Sequence, residues 1–536
     1  MNHARSCASK HIMVSEVARM RTDLLTTPTG NSLQRLSEQA WERFGDLNTL
    51  HFEGESWTGS QLAARSRRLS RGLRDAGLGV GDRVVVCMAN CPEVGLTYSA
   101  VWRAGAATTP VLFLLSEDEL RHVLSDSGAS YVVTTPEFLP KVVASATGLP
   151  AMRSIVVVGD PGGVESTVPL LDFAELEQAP EGELIDRDPT ELAALLYTGG
   201  TTGRAKGVML SHDALSSAAW AAVAAGEDRE EPTRSSLLPL PLSHVYGLTV
   251  TIMGLHATEP GTSALMRWFD PAGWLELAQQ FRTEISALVP SMFQMLLTQP
   301  IEDYDLSALR RVASGGASLP REVAEEFQKR LPGVEITEGY GCTESGAIIS
   351  TSPPGQVRPG SVGKPPSPIT VRIEKADGTD AGVDEDGEIC VRGPNLMTGY
   401  WNSPEETQHA LRGGWLHTGD IGHFDADGFL YVVDRIKDLI IRGGINVYPR
   451  DVEEALLEHP DIVGAGVVGR PDPKMGEEVV AFVQLRPGAT LTPGDVIGYA
   501  KEHLSAAKYP RDVRIVDALP LTSVFKLDRK QLRTYL

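Results

Sequence analysis

Residues 197–207 read YTGGTTGRAKG and lie between two apolar runs, 192–196 and 208–210. Runs this short bounded by turn residues read as strands, and a glycine-rich turn leaving a strand end is where α/β proteins place ligands. The glycines free the main chain to wrap closely on an anion, the threonine hydroxyls and the amides donate hydrogen bonds, and Lys206 adds a point charge. Phosphate binding is the direct inference. A Walker A loop is excluded, because that motif needs lysine immediately after its last glycine, and here Arg204 and Ala205 intervene. The plain alternative, a Gly/Thr surface turn, is disfavoured by the length of the pattern.

Outward from this loop the chain alternates apolar strands with amphipathic helices. Residues 83–87 (RVVVC), 131–134 and 155–158 are valine-rich and read as buried strands. Between 60 and 76, Leu62, Leu69 and Leu73 share one helical face and Gly77 stands at the C-cap position. Ser318 and Pro320 open a helix in which Val323, Phe327 and Leu331 recur, and the strand 334–337 follows, ending in EGYGCTES. Such alternation predicts parallel sheets covered by helices. The long run 235–260, uncharged but for Glu259, is interrupted by Pro239, Pro241 and His244 and is read as buried core strands, not a membrane span. From 355 to 399 the texture changes to glycine, proline and short alternating strands such as GEICVR (387–392). After Asp434 comes a basic junction (DRIKDLIIRGG), a helix at 451–458, strands near 462–468 and 479–485, and a helix after Pro493. The expected fold is α/β: a large N-terminal region of two α/β subdomains plus a β-barrel-like subdomain, and a small mobile α+β C-terminal domain. The boundaries drawn are 1–434, a hinge at 435–437, and 438–536.

A chain of 536 residues is too long for one core, which agrees with this division. Its formal charge of -21 opposes broad affinity for nucleic acid or anionic lipid, so anionic small ligands need a locally basic pocket. Five cysteines without CxxC spacing indicate neither a disulfide framework nor a zinc site. The first 20 residues lack the apolar run of a signal peptide. A soluble, cytoplasmic protein with no integral membrane segment and no nucleic-acid partner is expected, and a homodimer is left open.

The loop is accompanied, in order, by SGGASL (314–319), GYGCTE (339–344), GEICVRG (387–393), GYWNSPEET (399–407) and WLHTGD (415–420). In this set the chain resembles, over nearly its whole length, the adenylate-forming superfamily of acyl-CoA synthetases, luciferases and peptide-synthetase adenylation domains. The resemblance implies an acid:CoA ligase that joins a carboxylic acid to coenzyme A through an acyl-adenylate, using ATP and Mg²⁺. It assigns the triphosphate to Thr198, Gly199, Gly200, Thr201, Thr202, Gly203 and Lys206, and adenine to Gly315, Gly316, Ala317 and Tyr340, with Glu338, Gly339 and Gly341 in the same nucleotide site. Thr343 is implied on the α-phosphate, Glu344 on Mg²⁺, and Asp420 and Arg435 on the ribose. His244, in PLPLSHVYG, resembles the residue that borders the acyl pocket and gates the carboxylate. The small residues Gly247, Gly341 and Cys342 suggest that this pocket is roomy and apolar. Lys437 matches the hinge about which the C-terminal domain rotates between half-reactions, and Gly443 and Gly444 match the segment that approaches the pantetheine thiol. Lys526 matches the catalytic lysine between substrate carboxylate and α-phosphate.

The chain departs from the pattern in two places. Phe525 stands where the motif has glycine before the catalytic lysine, which predicts slow or lost adenylation and use of a preformed acyl-adenylate. Residues 110–120 (PVLFLLSEDEL) replace a proline-asparagine-proline turn near the pocket. Two alternatives stay open. A carrier-loading adenylation domain usually carries aspartate where this chain has SHVYGL (243–248). A nucleotide-binding regulator without turnover would keep the fold alone.

Overall fold

The computed structural model describes residue 30 and residues 32–198, 204–226, 233–522 and 526–536. The valine-rich runs form the first of two eight-stranded sheets. At its centre Arg83–Cys87 pairs in parallel with Ala107–Pro110 on one side and Tyr131–Thr134 on the other, with Ser154–Val157 beyond. Val84 and Val86 pack with Leu69, Leu73 and Trp102, whereas Val85 and Cys87 pack with Leu120, Val123 and Leu139. Both faces are therefore covered, which is why these strands read as unbroken apolar runs. The helix Gly59–Asp75 is opened by a capping box between Thr58 and Gln61, and Gly77 ends it at φ +100°, a conformation that glycine adopts without a Cβ penalty. Leu192–Thr198 joins the sheet parallel to Ala107–Pro110 and returns antiparallel as Lys206–Ser211.

The second eight-stranded sheet runs Thr262–Leu265, Ser235–Leu238, Ile285–Leu288, Arg311–Ser314 and Glu335–Tyr340 in parallel. Antiparallel strands flank it, with Ser350–Thr351 beside Glu335–Tyr340. Phe327, from the helix Arg321–Arg330, meets Phe293 edge-on at 5.0 Å beneath it. One expectation is corrected here: the run 235–260 holds a single described strand, and Val245–Met253 is a helix. That helix is apolar on nearly every face, so its periodicity is indistinguishable from that of a buried strand.

The glycine- and proline-rich stretch forms a third, four-stranded antiparallel sheet of Thr370–Glu374, Gly387–Arg392, Leu416–Phe424 and Leu430–Arg435. Val362 and Gly363 add main-chain hydrogen bonds to Leu430 at its edge. A tight turn follows, in which the Asp438 amide donates to the Arg435 carbonyl at 3.0 Å. The chain then enters a five-stranded sheet built on Ile462–Asp472 and Gly476–Leu485. The helices Pro449–Leu457 and Pro493–His503 cover this sheet, and Val452, Leu456, Val467, Val483 and Val496 form a core of its own. Among the described residues no helix is long and apolar enough to cross a membrane.

Candidate active site

The strand ends of the large domain and the C-terminal domain share a cleft of about 2720 Å³. Into it the fold brings Thr198, Lys206, His244, Gly315, Gly316 and Ala317 together with the 339–344 loop. Asp420, Arg435, Lys437 and Lys526 line the same cleft. Residues separated by more than 300 positions thus meet: 198, 206, 315–317 and 339–344 lie at strand ends or in the turns after them, Asp420 lies mid-strand, and Lys526 comes from the segment before the last helix.

Asp420 lies on Leu416–Phe424 directly opposite Arg435 on the neighbouring strand. Its carboxylate is buried, with Arg435 Nε 3.0 Å from Oδ1 and the Tyr340 hydroxyl donating to Oδ2 at 2.6 Å. Burial, and then the Asp420 charge, push the Tyr340 phenol well above its usual range, so it stays a donor. The Asp420 charge raises the pKa of the half-exposed Arg435 guanidinium. Each carboxylate oxygen keeps a second lone pair, which suits a pair of vicinal hydroxyls.

The strand that carries Asp420 is itself braced. The Gly419 amide donates to Glu388 Oε1 at 3.1 Å and the Thr418 hydroxyl to the Ile389 carbonyl at 2.8 Å. His417 Nδ1 lies 2.8 Å from Glu388 and 3.3 Å from Cys390 Sγ. Glu374, Cys390 and His417 present donor atoms within 4.8 Å of one another, but Arg372 neutralises Glu374 and Arg412 neutralises Glu388. Burial pushes the Cys390 thiol up to about 12, so the side chain is a neutral thiol within this cluster at physiological pH. This is a hydrogen-bonded ion cluster that positions residues 417–420.

His244 caps the helix Val245–Met253, its Nδ1 accepting the Tyr246 amide at 3.2 Å. Burial, and then the Lys526 ammonium, push its pKa down to about 3, so the imidazole is neutral at physiological pH. The Tyr246 ring lies where a side chain on Gly315 would begin, 3.1 Å from the Cβ that Gly315 lacks. Lys526 Cε lies 3.2 Å from the corresponding point on Gly316, whose φ of +83° also favours glycine. Burial, followed by Arg435, pushes the Lys526 ammonium down to about 8, while Asp420 opposes the shift.

At the phosphate end, the Tyr400 hydroxyl donates to Glu344 Oε1 at 2.9 Å. Lys206 lies over the Tyr400 ring and pairs with Glu406 at 2.7 Å. Glu344 and the adjacent Thr343 hydroxyl form an all-oxygen donor set suited to a hard cation with phosphates. The neighbouring Cys342 thiol is pushed well up, by burial and then by Glu344, and stays protonated. These residues fit Mg²⁺. Both flanks of the 197–207 loop are held by the helix Glu117–Ser127: the Tyr197 hydroxyl donates to Asp126 at 2.6 Å, and His122 Nε2 lies 2.9 Å from the Ala205 carbonyl. Gly199, Gly200, Thr201, Thr202, Gly203 and Phe525 lie outside the described residues.

Some expected site residues also make structural contacts of their own. Glu338 faces Arg450 and Glu454 of the C-terminal helix, and burial pushes its carboxyl up to about 7. Gly247 and Gly341 are small for close chain contact: a Cβ on Gly247 would lie 2.1 Å from the Pro241 carbonyl oxygen, and one on Gly341 2.0 Å from that of Ala347. Their size makes no room for a substrate, which corrects that part of the roomy-pocket expectation. Gly443 and Gly444 lie at the tip of the hairpin Ile440–Arg442/Ile445–Val447, where Met475 crosses Gly443, outside the lining of this cleft. Sequence reasoning passes over Tyr246, His122, Tyr400 and Glu406. The last two lie inside the quoted GYWNSPEET motif, which was the available signal.

The family model for the AMP-binding enzyme matches residues 37–401, and that for the AMP-binding enzyme C-terminal domain matches residues 451–526. The long-chain-fatty-acid–CoA ligase of Bacillus subtilis (strain 168) is 35% identical over 528 residues, which cover 94% of this chain and 94% of that protein. A feruloyl-CoA synthase of Amycolatopsis sp is 34% identical over 493 residues, covering 90% and 94%. Among solved structures, the anthranilate CoA ligase AuaEII in complex with anthranoyl-AMP superposes with a TM-score of 0.87 at 25% identity, covering 96% of this chain and 98% of that one. The o-succinylbenzoate CoA synthetase of Bacillus subtilis with its acyl-adenylate gives 0.81 at 29% identity, covering 94% and 98%.

Proposed function

The chain belongs to the AMP-binding, adenylate-forming family, on its acyl-CoA ligase branch, and from that premise we propose that it converts an apolar carboxylic acid to its CoA thioester by way of an acyl-adenylate held in the cleft just described. One observation carries this reading: Lys526, from the C-terminal domain, reaches Gly316 and the neutral His244 of the large domain, an arrangement that suits the adenylation half-reaction. Asp420 would accept the ribose hydroxyls, with Arg435 beside it. Tyr340 and the main chain at 315–317 would flank the base. Thr198, Lys206 and the 199–203 segment would hold the triphosphate. Lys526 would bridge the substrate carboxylate and the α-phosphate. Mg²⁺ held by Glu344 would neutralise phosphate charge. Val250 and Met253, on the helix that follows His244, give the acid an apolar wall. Formation of acyl-CoA and AMP from a panel of alkyl and aryl acids tests the reading. Acyl-adenylate and pyrophosphate formed without a CoA thioester would point to the carrier-loading alternative, and no turnover with any acid would point to a regulator.

Gly443 and Gly444 lie away from Lys526, so the thiol half-reaction calls for a rotation, and residues 435–437 are its proposed hinge, with 1–434 and 438–536 as the two bodies. Lys437→Pro fixes φ near about -65°. It is expected to leave pyrophosphate release within about twofold and to slow thioester formation at least about tenfold, a change of ~1.4 kcal/mol in barrier. Rapid-quench measurement of both products checks this, and equal losses would remove the hinge assignment.

A second reading, that adenylation is slow and preformed acyl-adenylate is a substrate, rests on Phe525. Left-handed backbone at that position would cost a non-glycine residue roughly 1–2 kcal/mol, or about five- to thirtyfold in rate. Phe525→Gly is expected to raise pyrophosphate release by that factor and to leave thioester formation from synthetic adenylate unchanged. The position of Lys526 in the cleft weighs against a complete loss of adenylation. Rapid pyrophosphate release by the wild type, unimproved in the variant, would sink this second reading.

A further inference from the structure

Lys206 is not presented freely to the phosphate end of the cleft. It opens the strand Lys206–Ser211, and that strand pairs antiparallel with Gly399–Tyr400. The Trp401 amide then donates to the Gly207 carbonyl at 2.7 Å, which fixes the start of the helix Pro404–Ala410 beside the lysine. From this helix Glu406 Oε2 lies 2.7 Å from Lys206 Nζ. Below the ammonium, 5.5 Å from the ring centroid, is Tyr400, whose hydroxyl is tied to Glu344. The lysine is thus held between a carboxylate and an aromatic face, in reach of the residues that would carry Mg²⁺ and phosphate.

We propose that Glu406 is a built-in competitor for the phosphate-loop lysine, a positioning residue that limits how tightly Lys206 grips a polyphosphate and so speeds the departure of pyrophosphate. The proposal rests on the assignment of Lys206 to the triphosphate. ATP or pyrophosphate must take Lys206 from Glu406 on arrival and give it back on departure. The Lys206 partner depresses the Glu406 carboxyl, so the competitor is ionised throughout the neutral range. The lysine side chain is 33% exposed and the glutamate 53%. A solvated pair of this kind is weak, so a multiply charged phosphate displaces it easily. Its removal is expected to change affinities only about two- to fivefold, and less as salt screens the charges.

The test is Glu406→Gln, which keeps size and hydrogen bonding and removes the charge at an exposed position. KM for ATP and the inhibition constant for added pyrophosphate are both expected to fall about two- to fivefold at low salt, with the gap narrowing at high salt. Thioester formation from synthetic acyl-adenylate and CoA, which involves no polyphosphate, is expected to be unchanged. Lys206→Gln supplies the control: it should raise both constants, and adding Glu406→Gln to it should have no further effect. If Lys206→Gln weakens pyrophosphate inhibition but Glu406→Gln leaves it unaltered, the competitor proposal is overturned while the assignment of Lys206 stands. Should Lys206→Gln itself leave ATP and pyrophosphate unaffected, both fall together.

Discussion

Lys526→Met is expected to slow pyrophosphate release from acid and ATP by about a hundred- to a thousandfold, the usual loss when a preorganised group at a developing charge is removed. Thioester formation from synthetic acyl-adenylate and CoA should stay close to wild type. Two anions, the substrate carboxylate and the α-phosphate, have to approach before adenylation, and Lys526 is the cation that the C-terminal domain delivers beside Gly316. Methionine keeps most of the unbranched stem and removes only the ammonium. The pH dependence gives an independent readout. Burial and Arg435 push this ammonium down to about 8, below the ordinary lysine value, so the charged form is lost as pH rises through that point. The kcat/KM for adenylation, which reports the free enzyme, should therefore fall above about pH 8 with a one-proton slope. In kcat the same limb should move to higher pH, because bound phosphate favours the ammonium. The alkaline limb should vanish in Lys526→Met. Equal losses in the two half-reactions, or a limb that persists in the variant, would remove Lys526 from the role given to it.

What the sequence disclosed was governed by where each partner sits along the chain. The strands around 83–87 and 131–134 were legible because both faces are buried and valine fills them. The motifs meet in one cleft because 315–317 and 339–344 follow or end parallel strands, while Asp420, in the middle of its strand, faces Arg435 at the end of the next. The helix Val245–Met253 was read as strand because a segment apolar on nearly every face carries no period. Gly247 and Gly341 were read as space because sequence shows only a missing side chain, while the structure shows main chain filling the gap. The pairs Lys206–Glu406 and Glu344–Tyr400 were not legible. Their members are far apart in sequence: the antiparallel pairing of Gly399–Tyr400 with Lys206–Ser211 brings the first pair together, and the Met397 amide, donating to the Glu344 carbonyl at 2.8 Å, the second. Gly443 and Gly444 stand apart from the cleft, at the tip of the hairpin Ile440–Arg442/Ile445–Val447.

Asp420→Ala should produce the largest loss of adenylate affinity available in the large domain. If the carboxylate accepts both ribose hydroxyls, two hydrogen bonds to a charged acceptor disappear, each typically worth about 1.5–3 kcal/mol, which together weaken binding on the order of 10²–10⁴-fold. The same change leaves the Arg435 guanidinium and the Tyr340 hydroxyl without the acceptor that both now share. Part of the effect is therefore structural, because a buried donor left unpaired costs about 1–3 kcal/mol of stability. Asp420→Asn keeps the shape and separates the two contributions. Its side-chain oxygen can still accept from one donor, but its amide nitrogen opposes the other, so affinity should fall less than in the alanine variant and thermal stability should be better preserved. Calorimetry with a non-hydrolysable acyl-adenylate and its 2′-deoxyribose counterpart closes the argument. Wild-type protein should bind the deoxy compound about ten- to a hundredfold more weakly, the value of one such hydrogen bond. The alanine variant should hardly distinguish the two ligands, because the acceptor that reads the hydroxyl is gone. If the variant discriminates as strongly as the wild type, Asp420 does not read the ribose, and the Asp420–Tyr340–Arg435 cluster only braces the joint between the four-stranded sheet and the 339–344 loop.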